Sequence, residues 1–312
     1  MTEQSRSNGF GQGTSAPAAK TLYDPDFTAR VIAATGPKAN PRLAQILPSL
    51  LRHLHDFARE VDLTVAEWMA GVEIINEAGQ MSDAARNETQ LICDILGLET
   101  LVDEITSKQL ALSTTSSLAH NPTSSAVLGP FYRPDAPILP NGSSIVSSSL
   151  STTPEYQVAS TRLSGRVLDP AGNPVPGAIV DVWHTAPNGK YEQQDAEQPD
   201  MDLRGRFATD AEGRYELYCL RPVPYPVPDD GPGGRILKLL DRHPFRPAHT
   251  HFIVSADGYR PLTTQLFDSE DRYLDDDSVF AVKRDLVVDY KPSEGDEKAK
   301  WALEYDFVLL NA

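Results

Sequence analysis

The segment Arg246-Pro247-Ala248-His249-Thr250-His251 leads into the apolar run Phe252-Ile253-Val254. In an extended strand successive side chains alternate between faces, so His249 and His251 place both imidazoles on one side, adjacent around a single metal. An H-x-H pair by itself leaves two readings open: a metal site, or two histidines packed and hydrogen-bonded on a half-buried strand. The chain has no H-E-x-x-H sequence, and Cys93 and Cys219 are its only thiols, so a usual zinc set is poorly supported. Tyrosine is the remaining oxygen donor worth testing. Tyr225 lies in Pro222-Val223-Pro224-Tyr225-Pro226-Val227-Pro228, where fixed proline φ angles favour polyproline II and hold a phenol at little ordering cost; the same run also reads as a rigid surface loop. Tyr191 follows the turn-prone Ala186-Pro187-Asn188-Gly189 and alone is an ordinary loop tyrosine.

These residues need strands to position them, and the second half of the chain supplies strand patterns. Leu163, Gly165 and Val167 alternate into the turn Asp169-Pro170-Ala171-Gly172-Asn173-Pro174, and the run Ala178 to Trp183 is apolar and rich in β-branched residues. Turn residues recur at Asp210 to Gly213 and at Asp257-Gly258, and the tail alternates through Trp301, Leu303, Tyr305, Phe307 and Leu309. Many short strands with frequent turns predict an antiparallel β-sandwich over 114–312.

The first part reads differently. Leu43, Ile46, Leu47, Leu50, Leu51, Leu54, Phe57, Ala58 and Val61 recur at spacings of three and four, a helical stripe that needs a partner. Thr64 with Glu67 predicts a capping box opening a second helix, and Asn87 with Gln90 opens a third through Leu91 and Ile95. The expected organisation is α+β: a mobile tail over 1–22, a helical region over 23–113 and the β domain. His53 and His55 fall within the first helix and read as solvated or hydrogen-bonded residues, as does His184 beside Trp183.

The 312 residues carry 28 Lys+Arg against 44 Asp+Glu, a formal charge of −16, and no basic cluster compensates, which argues against a nucleic-acid partner. No apolar run reaches the roughly 20 residues of a membrane span, and no secretory signal is visible, so the expectation is a soluble, cytoplasmic protein without membrane insertion.

Several separate motifs resemble the intradiol ring-cleaving dioxygenases, the catechol 1,2- and hydroxyquinol 1,2-dioxygenase group. They are LGPFYRPDAP from Leu128 to Pro137, DVWHTAPNGKY ending at Tyr191, RGRFATDAEGRY ending at Tyr215, PVPYPVPDDGPGG around Tyr225 and RPAHTHF around the histidines. The resemblance implies a non-haem iron(III) held by Tyr191, Tyr225, His249 and His251. Phenolate is a hard anionic donor suited to iron(III), and a bound cation removes the phenol's reluctance to ionise near neutral pH. It further implies an aromatic diol bound as a chelating dianion, with Tyr225 as both ligand and base, and cleavage by O₂ between the two hydroxylated carbons to a dicarboxylate. Arg246 and Gln265 match positions that stabilise charge near the reacting ring carbon. His120 and His243 lie outside the ligand set, and Thr250 stands where relatives carry an apolar residue.

Substrate-pocket positions fall on Leu91, Asp94, Val127, Gly129, Pro130, Phe131, Ser278 and Val279. Asp94 resembles the hydroxyquinol branch, where a carboxyl group could hydrogen-bond a third hydroxyl; its ordinary reading is a helix residue facing solvent. The expected reaction is therefore hydroxyquinol (1,2,4-trihydroxybenzene) to 3-hydroxy-cis,cis-muconate, with catechol to cis,cis-muconate as the alternative. The resemblance also implies a homodimer formed through the helical region, with a phospholipid in the interface. The rival from another class is a noncatalytic β-sandwich interaction module.

Overall fold

The computed structural model describes residues 24–83, 86–113 and 119–312. The expected tail over 1–22 and part of the Ser/Thr-rich joint after Ser113 lie outside the described residues. The chain divides into two compact units, one ending at Gly71 and one running from Val72 to Ala312.

In the first unit, Phe27–Ala33 and Pro41–Glu60 are helices. Asn40 caps the longer one, its Oδ1 accepting from the amides of Arg42 and Leu43, and Pro41 occupies the first turn, where a missing N–H costs nothing. Its apolar stripe forms as the spacing predicts, yet Leu43, Leu50, Leu54, Phe57 and Val61 are each about half exposed. His55 accepts its place as a hydrogen-bonded histidine: Nδ1 lies 3.0 Å from Thr28 Oγ1 and the ring stacks on Phe27. The Thr64/Glu67 box closes with Thr64 N donating to Glu67 Oε2 at 2.9 Å and Glu67 N to Thr64 Oγ1 at 3.3 Å, opening the helix Val65–Met81.

The second unit contains both remaining amino-terminal helices, Glu88–Ile95 and Leu98–Ser113, as well as the sheets. Asn87 caps the first of these through Gln90 N, as its spacing predicts. A central sheet carries Ile179–Trp183 between Arg204–Ala208 and His249–Ser255, with Leu262–Asp268 beyond, all antiparallel. The opposing sheet is built on Ser160–Leu168, antiparallel to Arg214–Leu220. Four peripheral pairs are parallel: Ile138–Leu139 on the strand Arg204–Ala208, Val287–Val288 on Leu262–Asp268, and Trp301–Glu304 and Phe307–Val308 on Ser160–Leu168. The sandwich is thus antiparallel at its centre and mixed at its margins. Val180, Val182, Phe252 and Leu266 from one sheet share a buried core with Leu163, Val167, Leu217 and Phe307 from the other, and the Phe252 and Phe307 rings lie 5.1 Å apart. Leu91 and Ile95 join that core, which fixes the helix Glu88–Ile95 against the β domain.

Gly165 marks the closest approach within the second sheet. Tyr215, its cross-strand partner, donates its hydroxyl to the Tyr305 carbonyl at 2.7 Å, and that oxygen occupies the space a side chain would need: an added Cβ would sit 1.8 Å from it. Gly165→Ala is expected to lower stability by about 1–3 kcal/mol, toward the upper end because a backbone atom must give way. A urea melt with an unchanged midpoint would contradict this packing account.

Candidate metal centre and active site

Tyr191, Tyr225, His249 and His251 come from three parts of the β domain and meet in one buried place. The two histidines begin the strand His249–Ser255 and share a face, as the period of two requires, while Thr250 points to the other side and is also buried. Tyr225 lies on a two-residue strand, Tyr225–Pro226, paired with Phe245–Arg246 so that Tyr225 stands opposite Arg246. Tyr191 directly precedes a short 3₁₀ turn, Glu192–Gln194. The polar atoms form a continuous series: Tyr191 Oη to Tyr225 Oη 3.1 Å, Tyr225 Oη to His249 Nε2 3.4 Å, and His249 Nε2 to His251 Nε2 3.1 Å.

The surroundings hold each group. His249 Nδ1 donates to the Pro247 carbonyl at 2.7 Å, which fixes the tautomer and leaves Nε2 with its lone pair. His251 stacks on Trp183, centroids 4.8 Å apart and planes 9° from parallel. Its Nδ1 is buried with no hydrogen-bond partner among the described residues, so what Nε2 binds decides its state. The Tyr191 ring stacks on Phe131 at 4.9 Å, and the Arg204 guanidinium lies 5.6 Å over the same ring, itself held by Glu192 at 2.8 Å. Gly129 is required: its φ is +78°, and an added Cβ would sit 3.2 Å from His251 Cε1.

Burial pushes the Tyr191 phenol well above its ordinary range, the neighbouring Tyr225 adding to the effect, and raises Tyr225 as well. Burial and the Arg246 charge hold His249 well below the usual imidazole range, and burial with His249 does the same for His251. Both imidazoles are therefore neutral. Two neutral imidazole nitrogens and two phenol oxygens in successive contact are a donor set for a hard trivalent cation, which would reverse the phenols' preference and draw both to phenolate. Iron(III) fits this set. Among the described residues no group of three His, Cys, Asp or Glu side chains is placed to hold a metal, and the four-residue set relies on its two tyrosines.

Arg246 is buried beside the four. Its Nη1 donates to His249 Nε2 at 2.9 Å, Nη2 to Gln265 Oε1 at 2.8 Å, and Nε to Asp277 Oδ1 at 3.2 Å. The single lone pair of His249 Nε2 serves either the guanidinium or a cation, so occupation of the site frees Nη1. Gln265 also donates to the Val127 carbonyl at 2.6 Å and so ties Arg246 to the loop that carries Gly129, Pro130 and Phe131.

Leu91, Val127 and Val279 are buried in the common core, and Pro130 is half-buried. Asp94 is buried rather than solvent-facing, with Oδ1 unpartnered among the described residues. Ser278 is buried with its hydroxyl donating to the Pro244 carbonyl at 3.1 Å, while the Arg242 guanidinium bridges the carbonyls of Ser278 and Ile95. His184 is a structural residue as expected: Nδ1 donates to the Thr185 carbonyl, and burial lowers it to about 4. Sequence reasoning missed Asp277, which orients Arg246, and Trp183 as the platform under His251. Asp277 ends an Asp-Asp-Asp run that reads as a solvated loop, and no spacing signal distinguishes its third member.

Comparisons with known proteins give the family. A family model described as "Dioxygenase" matches residues 129–311, and one described as "Catechol dioxygenase N terminus" matches 40–114. The chain is 46% identical over 289 residues to a catechol 1,2-dioxygenase of Candida albicans, covering 91% of each chain. It is 39% identical over 280 residues to a hydroxyquinol 1,2-dioxygenase of Rhizobium sp., covering 86% of this chain and 90% of the relative. The crystal structure of a Pseudomonas putida hydroxyquinol 1,2-dioxygenase superposes with a TM-score of 0.76 at 38% identity, over 92% of this chain and 98% of that one. With its helical amino-terminal region, its β-sandwich and its buried tyrosine–histidine cluster, the chain belongs to the intradiol ring-cleaving dioxygenases and is an oxidoreductase of that class.

Proposed function

We propose that the protein is an iron(III)-dependent hydroxyquinol 1,2-dioxygenase, opening 1,2,4-trihydroxybenzene with O₂ to 3-hydroxy-cis,cis-muconate. The observation that carries the substrate is Asp94: a carboxyl group only 2% exposed, in the electrostatic reach of Arg246, with one oxygen lacking a partner among the described residues. A third hydroxyl supplies the missing hydrogen bond, and a diol without it leaves that oxygen unpaired. The second reading, catechol to cis,cis-muconate, is favoured by the identity to the Candida albicans enzyme.

In either case Tyr191, Tyr225, His249 and His251 hold the metal. Iron(III) bound there would supply a Lewis acid that acidifies the diol and activates it toward O₂. Tyr225 Oη is placed to take up a diol proton, since it stands inside the donor series, between Tyr191 Oη and His249 Nε2, on the strand pair that carries Arg246. The guanidinium, fixed by Asp277 and Gln265, faces the charge that develops on the substrate. Trp183 and Phe131 close the site with apolar surface and exclude water.

The test compares kcat/KM for hydroxyquinol and catechol in the parent protein and in Asp94→Ala. The expected result is a hydroxyquinol preference that falls by roughly tenfold or more in the variant. An unchanged ranking, or a catechol preference in the parent protein, would move the assignment to the second reading.

A cytoplasmic homodimer belongs to the same proposal, as does the division into a helical part over 23–113 and a catalytic part over 114–312. The half-exposed stripe from Leu43 to Val61 supports the dimer. No described residue supports the phospholipid expected in its interface. No helix among the described residues is long and apolar enough to cross a membrane.

A further inference from the structure

Asp94 has a second carboxyl group beside it. Glu99, in the first turn of the helix Leu98–Ser113, accepts from Gln90 Nε2 on Oε2 and from the Leu128 amide on Oε1, each at 3.0 Å. Helical spacing puts Gln90 and Asp94 on the same face of Glu88–Ile95, so both reach Glu99. A carboxyl group whose two oxygens each accept an N–H bond is the ionised partner. The Glu99 carboxyl group acts directly on Asp94, and two carboxyl groups hydrogen-bond to each other only with one proton between them. A proton shared in this way belongs to Asp94, whose Oδ1 has no hydrogen-bond partner among the described residues.

We propose that Glu99 is a positioning residue for substrate choice: fixed by Gln90 and the Leu128 amide, it holds the proton of Asp94, so that Asp94 Oδ1 offers the substrate's third hydroxyl a neutral acceptor. This rests on the hydroxyquinol reading and adds its electrostatic condition. A dianionic diol beside Arg246 is repelled by a second ionised carboxylate, whereas a protonated Asp94 accepts a hydroxyl without adding charge. The same Glu99 oxygen that holds Leu128 also anchors the loop whose next residue, Gly129, lies against His251.

The electrostatic surroundings agree in sign. Burial is the largest influence on Asp94, with the Glu99 hydrogen bond and charge and the Asp277 charge adding to it and Arg246 opposing, and together they raise it to about 9. Glu99 is lowered although its own burial opposes this, through hydrogen bonds from Asp94, Gln90 and Leu128 and the charge of Arg246. Cys93, the other titratable neighbour, is raised chiefly by burial, with the neighbouring carboxyl groups adding to it.

Infrared difference spectra of the metal-loaded protein, titrated with alkali, read the proton directly. At pH 8 the buried Asp181, raised by burial to about 6, is ionised and does not interfere. The parent protein is expected to show a protonated-carboxyl stretch at pH 8 that disappears with a midpoint near 9 and is missing in Asp94→Asn. In Glu99→Gln the midpoint is expected to fall by at least about one pH unit, because the like charge that disfavours Asp94 ionisation is gone. The parent titration needs no variant to fold. No such band at pH 8, or a band that persists in Asp94→Asn, overturns the proposal, and an unmoved or raised midpoint in Glu99→Gln overturns the role of Glu99. An unchanged substrate ranking in Asp94→Ala, with the band behaving as expected, overturns the hydroxyquinol reading instead.

Discussion

Tyr191→Phe is expected to abolish ring cleavage while leaving the fold in place. The variant keeps the ring that stacks on Phe131 and lies under Arg204, and it removes only an oxygen whose protein contact is Tyr225 Oη at 3.1 Å. In the proposed iron(III) site, what disappears is one of the two anionic donors that the trivalent cation needs for charge balance. A Lewis-acid site contributes several kcal/mol to transition-state stabilisation, so kcat/KM for any diol should drop by roughly a thousandfold or more. Two phenolates on iron(III) give a visible charge-transfer band, and that band should fade in Tyr191→Phe, with iron content measured on the same preparation. Chelation of the parent protein should produce the same loss, restored by iron and not by zinc. The thermal midpoint of metal-free Tyr191→Phe should stay close to that of the metal-free parent, which separates a lost ligand from a damaged fold. Full colour and turnover in the variant would remove Tyr191 from the metal, and activity restored by zinc would remove iron from the reaction.

The sequence shows some of this site through local physics and some only through likeness. His249 and His251 are legible because alternation along a strand is local, and the strand His249–Ser255 places them together as expected. Tyr191 and Tyr225 are separated by a turn, the two strands Arg204–Ala208 and Arg214–Leu220 and a proline-rich run, and no periodicity links them; only the family resemblance pairs them before the fold brings their oxygens together. Capping is local too, so Thr64 and Asn87 begin their helices where sequence spacing says. The helix Pro232–Leu239 was not expected: two glycines in its first turn argue against it, and packing on Glu88–Ile95, with Glu88 accepting from the Gly233 amide at 2.9 Å, overrides that weak propensity. The parallel margins of the sheets were equally illegible, since a period of two says which face a residue takes and nothing about the direction of the neighbouring strand. Asp277 and Glu99 carry no local mark at all. Each is an ordinary acidic residue until long-range folding sets it against Arg246 or Asp94.

Replacing Arg246 should affect both stability and rate, and the two effects can be separated. The guanidinium is 3% exposed and serves three partners at once: His249 Nε2, Gln265 Oε1 and the Asp277 carboxylate. Asp277 is itself buried, and without Arg246 its charge keeps only the amides of Val279 and Ala281. Breaking a buried pair by removing one partner leaves an uncompensated charge, so Arg246→Met should destabilise the fold by roughly 3–5 kcal/mol. Adding Asp277→Asn removes that charge and should recover much of the stability in a denaturant melt. It should not recover catalysis. If the guanidinium stabilises charge developing on the substrate, kcat falls by about a hundredfold to a thousandfold in Arg246→Met, and the double variant stays equally slow. Arg246→Lys keeps the charge but not the planar fork, and a single ammonium cannot hold Asp277 and Gln265 while also facing the substrate. Its rate should therefore remain well below that of the parent, with a smaller stability loss than in Arg246→Met. Recovery of kcat together with stability in the double variant would make Arg246 a packing residue, and the charge that builds on the ring would need another counterion within the site.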